Sequence, residues 1–235
     1  MVLSLPYWAR GLILTMTAWS KLLRRDFLIG LDEPFRTGIH EDIPVTCAAL
    51  LAVSLAGDGR PGLFRHRGVD YKAVVRAAQA QPAINAAWDG DAIVKFKSVG
   101  LSVAIAIDDG LVTPVIKEAE SKSLLAISRA VKDFAVRAKD KKLKPDEFDG
   151  GTITVSNLGA WGIESFDAIV NPPQAAILSV GAAIEKPVVK NGQIVPGLRM
   201  NLGLSCDHRV IDGAVGAQFL SEIKKLLEQP ALMLL

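Results

Sequence analysis

The chain has 235 residues, half of them apolar and 22% charged, a composition that supports a buried core and excludes a disordered or fibrous protein. Its 27 basic and 25 acidic side chains leave a formal charge of +2, too small an excess to neutralise a phosphate backbone, so nucleic acid is set aside as a partner. No apolar run reaches the ~18 residues a membrane-spanning helix needs, and the two cysteines, Cys47 and Cys206, form no paired motif that would suggest a disulfide framework or a zinc knuckle.

Residues 1–69 give no coherent signal. Arg10, Lys21, Arg24 and Arg25 precede the first acid, Asp26, and bracket the apolar run 11–16, but no small-residue cleavage site follows to mark a targeting peptide. Residues 26–69 mix short apolar stretches with Gly57-Asp58-Gly59-Arg60-Pro61-Gly62 and the basic cluster Arg65-His66-Arg67, without a sustained period. This part is read as an atypical N-terminal segment, and 70–235 as the main domain.

From Asp70 onward local signals agree with one another. Asp70 is expected to cap a helix carrying Val74, Val75 and Ala78, which Pro82 limits. Val99, Leu101, Val103, Ile105 and Ile107 alternate along one strand with a buried face. Asp109-Gly110 predicts a hairpin turn back through residues 111–116, with Pro114 marking a sheet edge or a bulge. Leu124, Ile127, Val131, Phe134 and Ala138 recur at helical steps, and the basic run 139–144 is its exposed end. Strands are expected over 152–158, 175–180 and 198–208, and Asp212 can cap a last helix striped by Val215, Phe219, Ile223 and Leu226. Helices interleave with strands while the turns are antiparallel, so a mixed-sheet α+β fold is expected over a doubly wound one.

His208 ends the third of those strands, where a rigid element can hold an imidazole at a pocket. It stands within Asp207-His208-Arg209-Val210-Ile211-Asp212-Gly213, immediately before a helix start. Arg209 is expected to lock this loop on an acid that the sequence does not identify. Asp212, four residues after His208, also permits a metal pair, but no third ligand type is near and a site needs three or four. Ser156 lies on a hydroxyl-bearing strand face just before Asn157-Leu158-Gly159. Gly159 and Gly162 let backbone approach a ligand, and Asn171-Pro172-Pro173-Gln174 turns the chain rigidly back into the sheet.

Three segments, residues 156–166 (Ser-Asn-Leu-Gly-Ala-Trp-Gly-Ile-Glu-Ser-Phe), 171–181 (Asn-Pro-Pro-Gln-Ala-Ala-Ile-Leu-Ser-Val-Gly) and 205–213 (Ser-Cys-Asp-His-Arg-Val-Ile-Asp-Gly), carry a family resemblance in their order and spacing. They resemble the dihydrolipoamide acyltransferase core subunits of 2-oxo acid dehydrogenase complexes, from about residue 70 to the C-terminus. The resemblance implies a fold like chloramphenicol acetyltransferase and a homotrimer with active sites between subunits. It further implies assembly into a cubic or dodecahedral core, with the terminal Ala231-Leu232-Met233-Leu234-Leu235 docking onto the next trimer. Catalysis then falls to His208, as the base that activates coenzyme A, and to Ser156, which donates to the oxyanion from another subunit. Asp212 is grouped with this catalytic pair, Asn157 and Gly159 with substrate binding, and Arg209 with structural support. Coenzyme A is a substrate, the lipoyl group comes from the lipoyl domain of another chain, since no Asp-Lys-Ala type of turn is present, and no metal is implied.

Ser156-Asn157-Leu158-Gly159 and Gly110-Leu111-Val112-Thr113-Pro114 resemble the acetyl-transferring branch more than the succinyl one. Residues 1–69 do not resemble the family's usual beginning, which helps form the coenzyme A channel. The rival expectation is therefore a structural core protein that has lost activity through its altered N-terminus. A second rival is a condensation-type transferase using the similar His-x-x-x-Asp-Gly pattern on carrier-protein thioesters. The expected compartment is a bacterial cytoplasm, with the mitochondrial matrix as the alternative.

Overall fold

The computed structural model describes residues 12–13 and 46–54 as backbone and residues 68–233 in full. The N-terminal basic stretch, the cluster 65–67 and the last two leucines lie outside the described residues.

Seven strands form the main sheet. They are β1 (Leu12–Ile13), β2 (Thr46–Ser54), β5 (Leu101–Val103), β8 (Val115–Ile116), β9 (Ile153–Asn157), β10 (Ala176–Lys190) and β11 (Gln193–Asp207). Their order is β1-β2-β11-β10-β9-β5-β8. β9 runs parallel to both β10 and β5, and every other pairing is antiparallel, so the sheet is mixed as expected. Two small hairpins, β3 (Ala86–Asp89) with β4 (Ala92–Lys95) and β6 (Ile105–Ile107) with β7 (Gly110–Val112), stand beside it. The helices are α1 (Val69–Ala80), α2 (Leu124–Lys139) and α3 (Gly213–Glu228). Among the described residues no helix is long and apolar enough to cross a membrane.

The registers sort the sheet into two faces. Leu101, Val103, Ile153, Val155, Leu178, Val180, Leu202 and Leu204 share one, and all are buried in the core with Val74, Ala77, Phe219, Leu220 and Ile223 of α1 and α3. Losing a fully buried Phe219 side chain would cost ~3–5 kcal/mol, so this layer fixes the position of everything attached to it. Ser102, Thr154, Ile177 and Ser205 line up on the other face, with Ser156, Ser179 and Gly203 in the next row. Segment 163–174 crosses that polar face. A Cβ on Gly181 would stand 2.0 Å from the Glu164 carbonyl oxygen, so the crossing is a close backbone approach that only glycine admits.

Several expectations are corrected. Residues 99–107 are not one strand: Ala104 makes the last rung of the β5–β9 ladder, donating its N–H to the Val155 carbonyl, and Ile105 then starts a separate hairpin. The turn of that hairpin is Asp108-Asp109, with Gly110 (φ +143°) opening the return strand. Asp70 does not cap α1. The helix begins at Val69 after Gly68, and Asp70 lies within the first turn rather than at the cap position. The β10–β11 hairpin is far longer than the two short strands expected, because Asn191-Gly192, both at positive φ, make a two-residue turn that lets pairing continue to Lys190↔Gln193. The sheet also reaches back before residue 70, since β2 pairs with β11 over Thr46↔Asp207 to Ser54↔Arg199. Met233 is not part of an external tail: it is 7% exposed and belongs to the chain's own core, where an apolar side chain next to α3 lowers its free energy by leaving water.

Candidate functional site

β11 ends at Asp207, and His208 opens a turn of three residues. The turn is built by Asp207. Its backbone N–H donates to the Ala175 carbonyl at 2.8 Å, and its own carbonyl accepts from Val210 and Ile211, both at 3.0 Å. Its carboxylate accepts the backbone N–H of Arg209 at 3.0 Å, closing a turn of the kind aspartate favours two residues ahead of a donor. The same carboxylate takes Nε of Arg209 at 3.0 Å and Nη2 at 2.7 Å. A planar guanidinium suits this two-pronged pairing, and Arg209 also lies over the Trp88 ring at 5.4 Å. The acid that holds Arg209 is its near neighbour Asp207.

His208 itself is half-buried and makes no hydrogen bond among the described residues. Its ring nitrogens are open to a substrate. Asp212 caps α3, its carboxylate accepting the Val215 N–H at 2.8 Å, and this holds the far end of the loop against a helix N-terminus. No group of three or more His, Cys, Asp or Glu side chains among the described residues can hold a metal ion.

The second cluster lies at the end of β9. Ser156 is half-buried, and its hydroxyl makes no hydrogen bond among the described residues, whereas its neighbours on that face are engaged: Thr154 donates to Gln174 Oε1 at 2.5 Å and Gln174 Nε2 donates to Ser102 at 2.8 Å. Asn157, expected to meet substrate, has both ends of its amide held by protein. Its Oδ1 accepts the Gly159 N–H at 3.0 Å and its Nδ2 donates to Asp70 Oδ2 at 3.0 Å. Gly159 begins a tight turn in which a Cβ would lie 2.8 Å from the Gly181 carbonyl oxygen. Burial pushes the Asp70 carboxyl above its ordinary range, opposed by the Asn157 bond and by the Tyr71 backbone N–H.

One chain does not bring the two clusters together. Ser156 pairs with Ser179, which pairs with Gly203, and His208 lies five positions beyond Gly203. At the usual strand dimensions that is roughly 17 Å along the sheet and about 10 Å across it, far beyond hydrogen-bond reach. Three participants were missed by sequence reasoning, namely Asp207, Trp88 and Asp70. The first had a local signal in the spacing of Asp207 and Arg209, and the other two had none, because their partners are distant in sequence.

Residues 69–235 match the family model described as 2-oxoacid dehydrogenases acyltransferase (catalytic domain). The chain is 51% identical, over 163 residues, to the dihydrolipoyllysine-residue acetyltransferase component of the pyruvate dehydrogenase complex of Rickettsia felis, a match covering 69% of this chain and 40% of that protein. The chain spans about two fifths of the length of the curated relatives it matches at this level. In structure it is similar to a probable dihydrolipoamide acetyltransferase from Listeria monocytogenes, with a TM-score of 0.73 at 33% identity over 78% of this chain and 84% of that one. It is similar as well to the cubic core of the pyruvate dehydrogenase multienzyme complex, with a TM-score of 0.73 at 31% identity over 83% and 85%.

Proposed function

The chain belongs to the family of 2-oxoacid dehydrogenase acyltransferase catalytic domains, and on that premise we propose that it transfers an acetyl group between dihydrolipoamide and coenzyme A. The observation that carries this reading is the His208 turn: an imidazole without a hydrogen-bond partner among the described residues, in a turn held by Asp207, Arg209 and the Asp212-capped helix.

The residue types suit the chemistry. A thiol of pKa ~8.5 facing an imidazole of ~6.5 differs by about two units, or ~2.7 kcal/mol, so one well-placed histidine can take the proton. The coenzyme A thiolate attacks the thioester carbonyl of acetyl-dihydrolipoamide, and the Ser156 hydroxyl donates a hydrogen bond to the resulting oxyanion. The intermediate collapses, the dihydrolipoamide thiolate leaves, and the imidazolium returns the proton to it. Gly159 lets the turn after Ser156 pack closely against the Gly181 carbonyl.

Because Ser156 and His208 of one chain are so far apart, we assign them to different subunits of a homotrimer whose active sites lie at the subunit contacts. Those trimers would build a larger cubic or dodecahedral core, whose sites a lipoyl group would visit, in a bacterial cytoplasm or, alternatively, a mitochondrial matrix. Acetyl transfer from acetyl-CoA to free dihydrolipoamide, measured on the purified chain together with its particle size, tests the reading. Thioester formation by a trimer or larger particle is expected. A well-folded assembly with no turnover would instead establish the rival, a scaffold without activity.

A further inference from the structure

The geometry points to Asp70 as a positioning residue for Ser156, acting through Asn157 from the first turn of α1. This rests on the reading that Ser156 supplies the hydrogen bond to the oxyanion.

The turn after Ser156 is held from two sides. On one side the Leu158 N–H donates to the Val180 carbonyl at 3.1 Å, and Gly159 is pressed against the Gly181 carbonyl, so the backbone cannot move toward β10. On the other side the only tie among the described residues is the Asn157 amide, which holds the Gly159 N–H with its oxygen and gives a hydrogen to Asp70 with its nitrogen. An unanchored Asn157 amide could rotate about its side-chain bonds and release Gly159. Anchored, it fixes the backbone on which the Ser156 side chain stands. A hydroxyl must point at a developing oxyanion within a few tenths of an ångström to be useful, and such precision comes from supporting contacts on rigid elements.

α1 is that rigid element. Val69, Ala73, Val74, Ala77 and Ala78 are buried in the core. Lys72, also buried, donates to the Lys122 carbonyl at 2.6 Å and secures the helix on its other side. The Asp70 carboxylate suits the first turn of the helix, whose backbone N–H groups it faces, and the same group reaches across to the Asn157 amide. Its bond to Asn157 spans 87 positions of sequence and joins the core helix directly to the residue next to Ser156.

The test compares steady-state acetyl transfer by the full chain, from acetyl-CoA to dihydrolipoamide, in Asp70→Ala, Asp70→Asn, Ser156→Ala and the double variant Asp70→Ala/Ser156→Ala. Asp70→Ala is expected to lower kcat by about tenfold, the equivalent of ~1.4 kcal/mol, with KM for coenzyme A little changed. Asp70→Asn should recover most of that loss, because an amide oxygen accepts the same hydrogen bond. In the Ser156→Ala background the Asp70→Ala change should have almost no further effect, since the residue it positions is gone. If Asp70→Ala does not fold, Asp70→Ser replaces it, keeping a polar group in the first turn of the helix but too short to reach Asn157. Multiplying losses in the double variant, a loss confined to KM, or no recovery with asparagine would each overturn the positioning role while leaving the proposed function in place. An inactive wild-type protein, or full turnover in Ser156→Ala, would overturn the underlying reading and this inference with it.

Discussion

Replacing Asp207 with alanine separates the carboxylate's work from that of the backbone at the same residue. The side chain accepts one backbone N–H and two N–H groups of the Arg209 guanidinium, at distances of 2.7 to 3.0 Å, and is only 6% exposed. Hydrogen bonds to charged groups are worth ~1.5–3 kcal/mol each when buried. Arg209 keeps 40% of its side chain exposed, so water takes over much of what it loses, and a net cost of about 2 kcal/mol is the reasonable figure. The backbone bonds to Ala175, Val210 and Ile211 survive the substitution, so the loss falls on the shape of the His208 turn rather than on the sheet. If it is expressed wholly in the population of the working turn, kcat for acetyl transfer falls by up to roughly 30-fold, with KM little changed. In a His208→Ala background the same change should add almost nothing, because the turn then has no base to orient. A folded Asp207→Ala protein with normal turnover would refute the argument, and so would equal losses with and without His208.

His208→Ala itself should lower kcat by roughly 10²–10⁴-fold in a folded protein, and Ser156→Ala by about 10²–10³-fold with KM nearly unchanged. Normal turnover in either variant removes its assignment. Arg137 pairs with Glu147 and Asp133, and it holds the Glu147 carboxyl down to about 2 from the usual 4.5. That contribution is full above the higher value and is lost as pH falls through the lower one. Wild type should therefore exceed Arg137→Ala in stability by about 1 kcal/mol at neutral pH, discounted for partial exposure, and the gap should close on acidification in pH-dependent melting curves. Met233→Ala should cost ~2 kcal/mol in thermal or denaturant unfolding without changing particle size, whereas a docking tail would lose assembly and keep its stability.

What could be read from the sequence was what is local. The stretch from Leu202 to Phe219 carries strand alternation, a charged turn and an aspartate cap within a few residues of one another, and the structure keeps all three. Alternation misled at 99–107 because it stays in phase through Ala104, where the backbone leaves one sheet to begin a hairpin. β2 was not seen because residues 46–54 form an apolar run without period two, which periodicity cannot tell from a buried helix. Asn191-Gly192 was a usable hairpin signal that would have extended both β10 and β11 to meet at this turn. The supports of the site were invisible for a different reason. Trp88 under Arg209 and Asp70 beside Asn157 come from other elements, and only the tertiary fold brings them there.

The separation of Ser156 from His208 on one sheet makes a sharper demand than any single substitution. Ser156 stands on β9 and His208 directly follows β11, and the pairing of these strands forbids a slide of several residues, because a one-residue shift would turn the apolar face outward. No local motion of one chain can join them, so the proposed roles of the two residues require a second copy to supply the missing half. Ser156→Ala subunits retain a working His208, and His208→Ala subunits retain a working Ser156. Each variant assembled alone has only defective sites. When the two are unfolded, mixed in equal amounts and refolded together, random association in a trimer places a good histidine opposite a good serine at about one site in four, so the mixture should recover about a quarter of wild-type turnover. Mixing without dissociation should recover none, which controls for simple addition of residual rates. If co-refolded material stayed as inactive as its components, the two residues would have to act within one chain, and the register that holds them apart would be wrong.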